Sequence, residues 1–126
     1  MRLLTVTALG ALVLAATAAP AHAQGAQGLL RLTITPITGR PTSVLLTCEP
    51  DGGSHPRPAE ACAALRTAFG DLNRLPDQGR VCTLQYDPVT AKAVGVWHGH
   101  GVIFRKRYGN ACILHSALDP VFQFGT

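Results

Sequence analysis

Two segments of the chain show the alternation of apolar and polar side chains that is typical of half-buried β-strands. From residue 30 to residue 35, the even positions carry Leu, Leu and Ile, and the odd positions carry Arg, Thr and Thr. Residues 43–48 form a second run of apolar and β-branched residues, and the intervening Thr38, Gly39, Arg40 and Pro41 predict a turn. The pattern therefore predicts two adjacent antiparallel strands within residues 29–48.

A helix is predicted in the middle of the chain. Apolar residues recur there at intervals of four, three, four and three positions, which places them on one helical face. They are Ala61, Leu65, Ala68, Leu72 and Leu75. Pro58 and Glu60 suit the first turn of this helix, Gly70 weakens it locally, and Pro76 ends it. Residues 49–58, which hold three prolines and two glycines, predict the loop before it.

The last third of the chain predicts more extended structure. Residues 81–87 read as an extended segment that stops at Pro88, and residues 91–97 and 102–108 read as two strands joined at His98, Gly99, His100 and Gly101. Residues 110–118 predict a short helix, and residues 121–124 a last short strand. We therefore expect an α+β domain in which the main helix covers one face of an antiparallel sheet of about five strands.

The first 23 residues have the layout of a secretory signal peptide. Arg2 precedes an uncharged run rich in Leu and Ala, Pro20 interrupts it, and Ala21, His22 and Ala23 provide a small-residue cleavage site. A membrane anchor is the alternative, but the run is slightly short for a span. We therefore expect residues 1–23 to be removed, leaving residues 24–126 as a single extracellular domain with no membrane attachment.

Charge and cysteine content narrow the function classes. The formal net charge is +4, but the only basic run is Arg105, Lys106 and Arg107, which argues against a nucleic-acid partner. Four cysteines in a small exported chain predict two disulfides, and three connectivities are possible. We predict no cofactor.

Enzymatic and metal-binding sites are weakly supported. A Cys82 nucleophile with His98 or His115 would require a free thiol, which a disulfide-bonded domain does not offer. The cysteine spacing lacks a zinc pattern. His98 and His100 could meet a metal, but two histidines in a hairpin turn are more often solvated. No catalytic residues and no metal site are predicted.

The extended segment at residues 81–87 has two interpretations. It could be an edge strand held by a structural disulfide. It could instead be a loop presented to a protease, which binds its substrates as extended strands with one side chain in a specificity pocket. A disulfide beside the target bond would hold that shape before binding and so lower the entropy cost.

The sequence resembles the subtilisin inhibitors of the Streptomyces type along nearly the whole mature chain. The resembling stretches are Leu46-Thr47-Cys48, Ser54-His55-Pro56, Ala61-Cys62, Gly70-Asp71-Leu72-Asn73, Val81-Cys82, Tyr86-Asp87-Pro88-Val89, Gly95-Val96-Trp97, and Asn110 with Cys112. In combination these motifs are specific for the family.

The resemblance implies the architecture and the site. It implies disulfides Cys48–Cys62 and Cys82–Cys112, a five-stranded antiparallel sheet with two helices, and a homodimer. It implies an inhibitor of subtilisin-like serine proteases, with chymotrypsin-like ones as a second candidate target, and the scissile bond between Leu84 and Gln85. The adjoining protease contacts would be Cys82, Thr83, Tyr86 and Asp87.

Two rival functions remain open from the sequence. A secreted module could bind an anionic surface or polymer through Arg105, Lys106 and Arg107, although neighbouring residues of a strand alternate between its faces. A secreted enzyme could use Cys82. For the dimer, one sheet face would be short of cover on so small a chain, and Trp97 could lie either in that interface or in the monomer core.

Overall fold

The protein is described from a computed structural model that covers residues 10–16 and 25–125. The predicted signal segment lies mainly outside these ranges, and residues 10–16 have no regular secondary structure. None of the helices in the described residues has the length and hydrophobicity of a membrane-spanning segment.

A five-stranded antiparallel sheet forms the body of the domain, with the strands in the order β3-β2-β1-β4-β5. The strands are β1 (Gly28–Pro36), β2 (Thr42–Cys48), β3 (Gly52–Gly53), β4 (Val89–Trp97) and β5 (His100–Tyr108). The helices are α1 (Pro58–Thr67) and α2 (Ala111–Leu118), and a 3₁₀ turn spans Leu72–Arg74. The register aligns Leu30 of β1 with Leu46 of β2 and with Gly95 of β4. The predicted fold class is confirmed.

One face of the sheet holds the hydrophobic core. The predicted alternation in β1 is confirmed, because Leu30, Leu32 and Ile34 are buried. Leu65 of α1 and Leu114 of α2 belong to the same core cluster, so both helices cover this face. The opposite face has no covering element among the described residues, and we call it the open face.

The main helix is shorter than predicted. It ends at Thr67, where the apolar spacing predicts that it continues to residue 75. Phe69 and Gly70 both have positive φ values, of 56° and 75°, which end the helix. A Cβ atom at residue 70 would overlap the Trp97 indole, so glycine lets the chain turn closely against that ring. Ala68 and Leu72 are still buried, because the chain turns back over the same core.

The predicted last strand at residues 121–124 is wrong. These residues form no strand; Val121, Phe122 and Phe124 instead pack into the core. The Val121 carbonyl lies 2.8 Å from Nε2 of the buried His55. The fifth strand is instead the short β3, which pairs with β2 inside the predicted loop at residues 49–58.

Candidate functional site

A segment without regular secondary structure, residues 76–88, connects the 3₁₀ turn to β4. The composition of residues 81–87 is typical of extended chain, but these residues pair with no strand. The interpretation of residues 81–87 as an edge strand is therefore wrong. Val81 is fully exposed, and the residues Leu84 and Tyr86 are 91% and 74% exposed. Large apolar side chains that project singly into water from a loop offer anchors to a binding partner. We call residues 81–87 the exposed loop.

Asn110 holds the backbone of the exposed loop from below. Its side-chain amide donates hydrogen bonds to the carbonyl oxygens of Thr83, at 2.9 Å, and Gln85, at 3.0 Å. Asn110 is itself buried, whereas Leu84 between the two bonded carbonyls points into solvent. The amide therefore spans the Leu84-Gln85 peptide bond and fixes the chain on both sides of it.

The start of α2 positions this asparagine. Asn110 is the N-cap residue, and its side-chain oxygen accepts a hydrogen bond of 3.0 Å from the backbone N–H of Ile113. Two residues further on, Cys112 forms the disulfide with Cys82 of the exposed loop. The same helix end thus supplies a hydrogen-bonding bracket and a covalent link.

Both ends of the 76–88 segment are also fixed. On the N-terminal side, Ser116 of α2 accepts hydrogen bonds from the backbone N–H groups of Gln78, through its carbonyl, and Arg80, through its hydroxyl. On the C-terminal side, the Asp87 N–H donates to the Gly109 carbonyl at 2.8 Å. A segment without helix or strand hydrogen bonds is therefore held in one shape by long-range contacts.

Charged groups reinforce the N-terminal end. The buried carboxylate of Asp119 accepts from Arg80 at 3.0 Å and lies 2.9 Å from Nδ1 of His115. The Gly79 backbone N–H, and then the Ser116 hydroxyl, lower the pKa of Asp77 by donating hydrogen bonds to its carboxylate. Burial raises the pKa of Tyr108, with a smaller contribution from the Asp77 charge.

The structure places the predicted site residues together in the exposed loop. Leu84 and Gln85 lie at its centre, and Cys82, Thr83, Tyr86 and Asp87 flank them. The bracketing role of Asn110 was missed, although an asparagine at the start of a predicted helix is a recognisable N-cap signal. The roles of Arg80, Ser116 and Asp119 were also missed, and no local pattern in the sequence indicates them.

The cysteines offer neither a free thiol nor thiolate ligands in the part of the chain that the structure describes. All four cysteines are in the disulfides Cys48–Cys62 and Cys82–Cys112, so Cys82 has no thiol for catalysis. The grouping of possible metal ligands that does occur contains Asp51 and both sulfur atoms of the Cys48–Cys62 bond, which are unavailable as thiolates. His98 contacts Glu49 at 3.1 Å.

Known proteins are similar to this chain in sequence. A family profile described as subtilisin inhibitor-like matches residues 26–110. Subtilisin inhibitor-like protein 5 of Streptomyces fradiae is 43% identical over 101 residues, which cover 79% of this chain and 91% of that protein. Subtilisin inhibitor-like protein 1 of Streptomyces cacaoi is 45% identical over 86 residues, which cover 65% of this chain and 78% of that protein.

A solved structure is similar as well. Streptomyces caespitosus sermetstatin, crystallised in complex with Bacillus licheniformis subtilisin, matches with a TM-score of 0.63 and 36% sequence identity. The match covers 76% of this chain and 97% of sermetstatin.

Proposed function

Because the chain belongs to the subtilisin inhibitor-like family, whose members are protease inhibitors and not enzymes, we propose that it inhibits subtilisin-like serine proteases through the exposed loop. The scissile bond is Leu84-Gln85. The observation that carries this assignment is the Asn110 amide, which bonds the Thr83 and Gln85 carbonyls on either side of an otherwise exposed peptide bond.

The loop binds as a substrate does. Leu84 enters the primary specificity pocket, and its carbonyl faces the catalytic serine and the oxyanion hole. Cys82, Thr83, Tyr86 and Asp87 form the surrounding contacts along the protease cleft. The hydrogen bonds and the disulfide already fix this backbone, so binding costs less conformational entropy than binding of a flexible peptide.

The same contacts make cleavage unproductive. Attack by the protease serine on the Leu84 carbonyl forms an acyl-enzyme ester and releases the amine of Gln85. The Cys82–Cys112 bridge joins the two resulting pieces covalently, because Cys82 lies before the cut and Cys112 after it. Asn110 holds Thr83 in one piece and Gln85 in the other. The amine therefore stays beside the ester, and its attack re-forms the peptide bond in competition with hydrolysis.

A pocket-exchange experiment tests the assignment. Titrations against subtilisin, chymotrypsin and trypsin should show inhibition of subtilisin and chymotrypsin and weak inhibition of trypsin, whose pocket ends in a carboxylate that Leu84 leaves unpaired. Leu84→Lys should gain trypsin inhibition, and should weaken inhibition of chymotrypsin more than of subtilisin. Phe69→Lys, at an exposed apolar position outside the loop, is the matched control and should change none of the three. Three unchanged inhibition constants for Leu84→Lys would place the contact loop elsewhere.

The domain boundaries and the compartment belong to the same proposal. Residues 1–23 direct export and residues 24–126 form the extracellular inhibitor. Two disulfides in so small a domain support an oxidising destination. Mass spectrometry of the exported protein should find Gln24 at its N-terminus, and an exported chain that retains residues 1–23 would contradict the boundary.

The open face supports a homodimer. It carries five exposed large apolar side chains, which a two-fold partner would bury: Leu29, Leu45, Val94, Val96 and Ile103. Trp97 does not contribute, because it is buried in the core of its own chain. Sedimentation at micromolar concentration should give a dimer mass, and Ile103→Glu should give a monomer that still inhibits subtilisin. A monomeric parent protein would refute the dimer and leave the inhibitor assignment intact.

A further inference from the structure

The charges of the domain are unevenly distributed. Four arginines of the described residues pair with carboxylates, and none of these pairs lies on the open face: Arg57–Glu60, Arg66–Asp51, Arg74–Asp71 and Arg80–Asp119. Six other cations have no carboxylate within ion-pair distance in the described part of the chain: Arg31, Arg40, Lys92, Arg105, Lys106 and Arg107. The cations without partners therefore concentrate on and around the sheet.

The strand register brings three of them together. Lys92 of β4 lies directly opposite Arg105 of β5, and Arg107 lies opposite Thr90, two residues along the same face. All three side chains are exposed. We call Lys92, Arg105 and Arg107 the cationic strip.

The cationic strip differs in one residue from the basic run Arg105-Lys106-Arg107 of the sequence. Lys106 does not belong to the strip, because strand alternation turns its side chain to the other face of the sheet. There its Nζ lies 5.3 Å from the centre of the Tyr108 ring. Lys92, which is 13 or more positions from the rest of the strip, joins it through the register. No Asp or Glu lies on the open face within the described strands.

Like charges directly opposite each other on one sheet face are destabilising. Lys92 and Arg105 have this arrangement with no carboxylate on their face to offset it. A ligand with repeated negative charges would pair with the strip, and the counterions condensed on that ligand would be released. The open face also lacks an aromatic side chain on which nucleic-acid bases could stack, so a polymer without bases fits it better.

We propose that the cationic strip is a second binding site, for a linear polyanion with repeating phosphate or sulfate groups. The strip adjoins the apolar part of the open face, since Val94 and Ile103 form the next pair on that face after Lys92 and Arg105, and it extends from there to Arg107 and Thr90 at the start of β4. Arg107 also lines, with Pro88 and Thr90, a cavity of about 260 Å³ at the C-terminal end of the 76–88 segment. The polymer therefore binds near the base of the exposed loop without occupying it, and concentrates the inhibitor on an anionic matrix.

Binding to long-chain inorganic polyphosphate, measured over a range of salt concentrations, tests this proposal. Dextran sulfate and a single-stranded oligonucleotide serve as parallel ligands. The test variant is Arg105→Gln/Arg107→Gln. The matched control is Arg57→Gln/Arg74→Gln, which makes the same change in net charge away from the open face.

The parent protein should bind polyphosphate or dextran sulfate, and the stronger of the two identifies the anionic group. The test variant should bind about tenfold more weakly at low salt. The plot of log binding constant against log salt concentration, which slopes downward, should become less steep by roughly 0.7 for each cation removed. The control variant should bind like the parent. Both variants should keep the parent's inhibition of subtilisin and its near-ultraviolet circular dichroism, which separates this proposal from the inhibitory one.

Several results would overturn the proposal. Equal weakening in the control variant would mean that only net charge matters, and absence of binding by the parent would mean that there is no site. Tighter binding to the oligonucleotide than to either polymer would favour a nucleic-acid ligand instead. If the test variant misfolds, Lys92→Gln replaces it, and unchanged binding by that folded variant would exclude the strip.

Discussion

Cys48 and Cys62 lie in the hydrophobic core, whereas Cys82 and Cys112 are partly exposed beside the loop. The buried bridge joins residues 14 positions apart and ties the end of β2 to α1; the other joins residues 30 positions apart and ties the loop to α2. Only the exposed bridge crosses the Leu84-Gln85 bond. The buried one lies entirely in the piece before it.

The two bridges differ in what they contribute to stability and to inhibition. Chain-entropy arguments give the two bridges similar values, about 3–4 kcal/mol each, with the longer loop slightly favoured. The buried bridge adds packing, because its sulfur atoms are part of the core. An ion pair lies near this bridge: Arg66 of α1 donates a hydrogen bond to Asp51, which follows β2, and this bond lowers the pKa of the Asp51 carboxyl. We therefore expect the buried bridge to dominate folding and the exposed bridge to dominate the fate of a cut inhibitor.

Removal of the buried bridge should have the largest effect on stability. Cys48→Ala/Cys62→Ala should lower the free energy of unfolding by about 3–5 kcal/mol, because unfolded-chain entropy rises and the core loses packing. Urea unfolding followed by Trp97 fluorescence measures the loss. At a temperature where this variant is folded, its subtilisin inhibition should match that of the parent. Rapid cleavage of the folded variant would show that both bridges control the loop.

Removal of the exposed bridge should cost less stability but change the function. Cys82→Ala/Cys112→Ala should lower the free energy of unfolding by about 2–4 kcal/mol. Subtilisin should be inhibited at first and then recover, as the protein is cut at Leu84-Gln85 and the two pieces separate. Mass spectrometry would detect the pieces. If the folded variant inhibits as durably as the parent, the hydrogen bonds alone hold the cut ends.

Substitution of Asn110 tests the hydrogen-bonding bracket without altering either bridge. Asn110→Asp retains an oxygen for the Ile113 N–H, so the helix cap should survive, but it cannot donate to the Thr83 and Gln85 carbonyls. We expect weaker inhibition by about 1–3 kcal/mol, from two hydrogen bonds, and faster cleavage.

Asn110→Ala is the companion variant. It should weaken inhibition similarly and also lose about 1 kcal/mol of stability with the cap. Inhibition constants paired with urea unfolding separate the two roles. An Asn110→Asp protein that inhibits as well as the parent would remove the bracket from the mechanism.

The smallest effect concerns pH at the N-terminal end of the loop segment. The pKa of Asp77 is lowered in the folded protein, so its contribution to stability is complete above the unfolded value of about 3.9 and is lost as the pH falls through the folded value. Asp77→Asn should therefore be slightly less stable than the parent at about pH 7, and the difference should disappear near about pH 2. Urea unfolding at both pH values checks this. A difference that persists in acid would point to the amide geometry instead of the charge.

The strands and the helix starts were predictable because they depend on neighbours in the sequence. Alternation in β1, the hairpin turn before His100 and the N-cap at Asn110 each follow from a few consecutive residues. The resemblance to the family also predicted how these strands assemble into a five-stranded sheet. The helix end was missed because Gly70 turns the chain against Trp97, a contact 27 positions away that no local apolar spacing contains.

The sequence by itself determined the fold class, an even set of cysteines suited to export, and an extended segment around Leu84. Only the tertiary structure decided that residues 121–124 fill the core instead of pairing as a strand, with the Val121 carbonyl beside His55, which is 66 positions away. It also placed Asn110 beneath Thr83 and Gln85, and Lys92 opposite Arg105. Each of these depends on which surfaces the folded sheet and helices bring together, and local propensity carries no information about that.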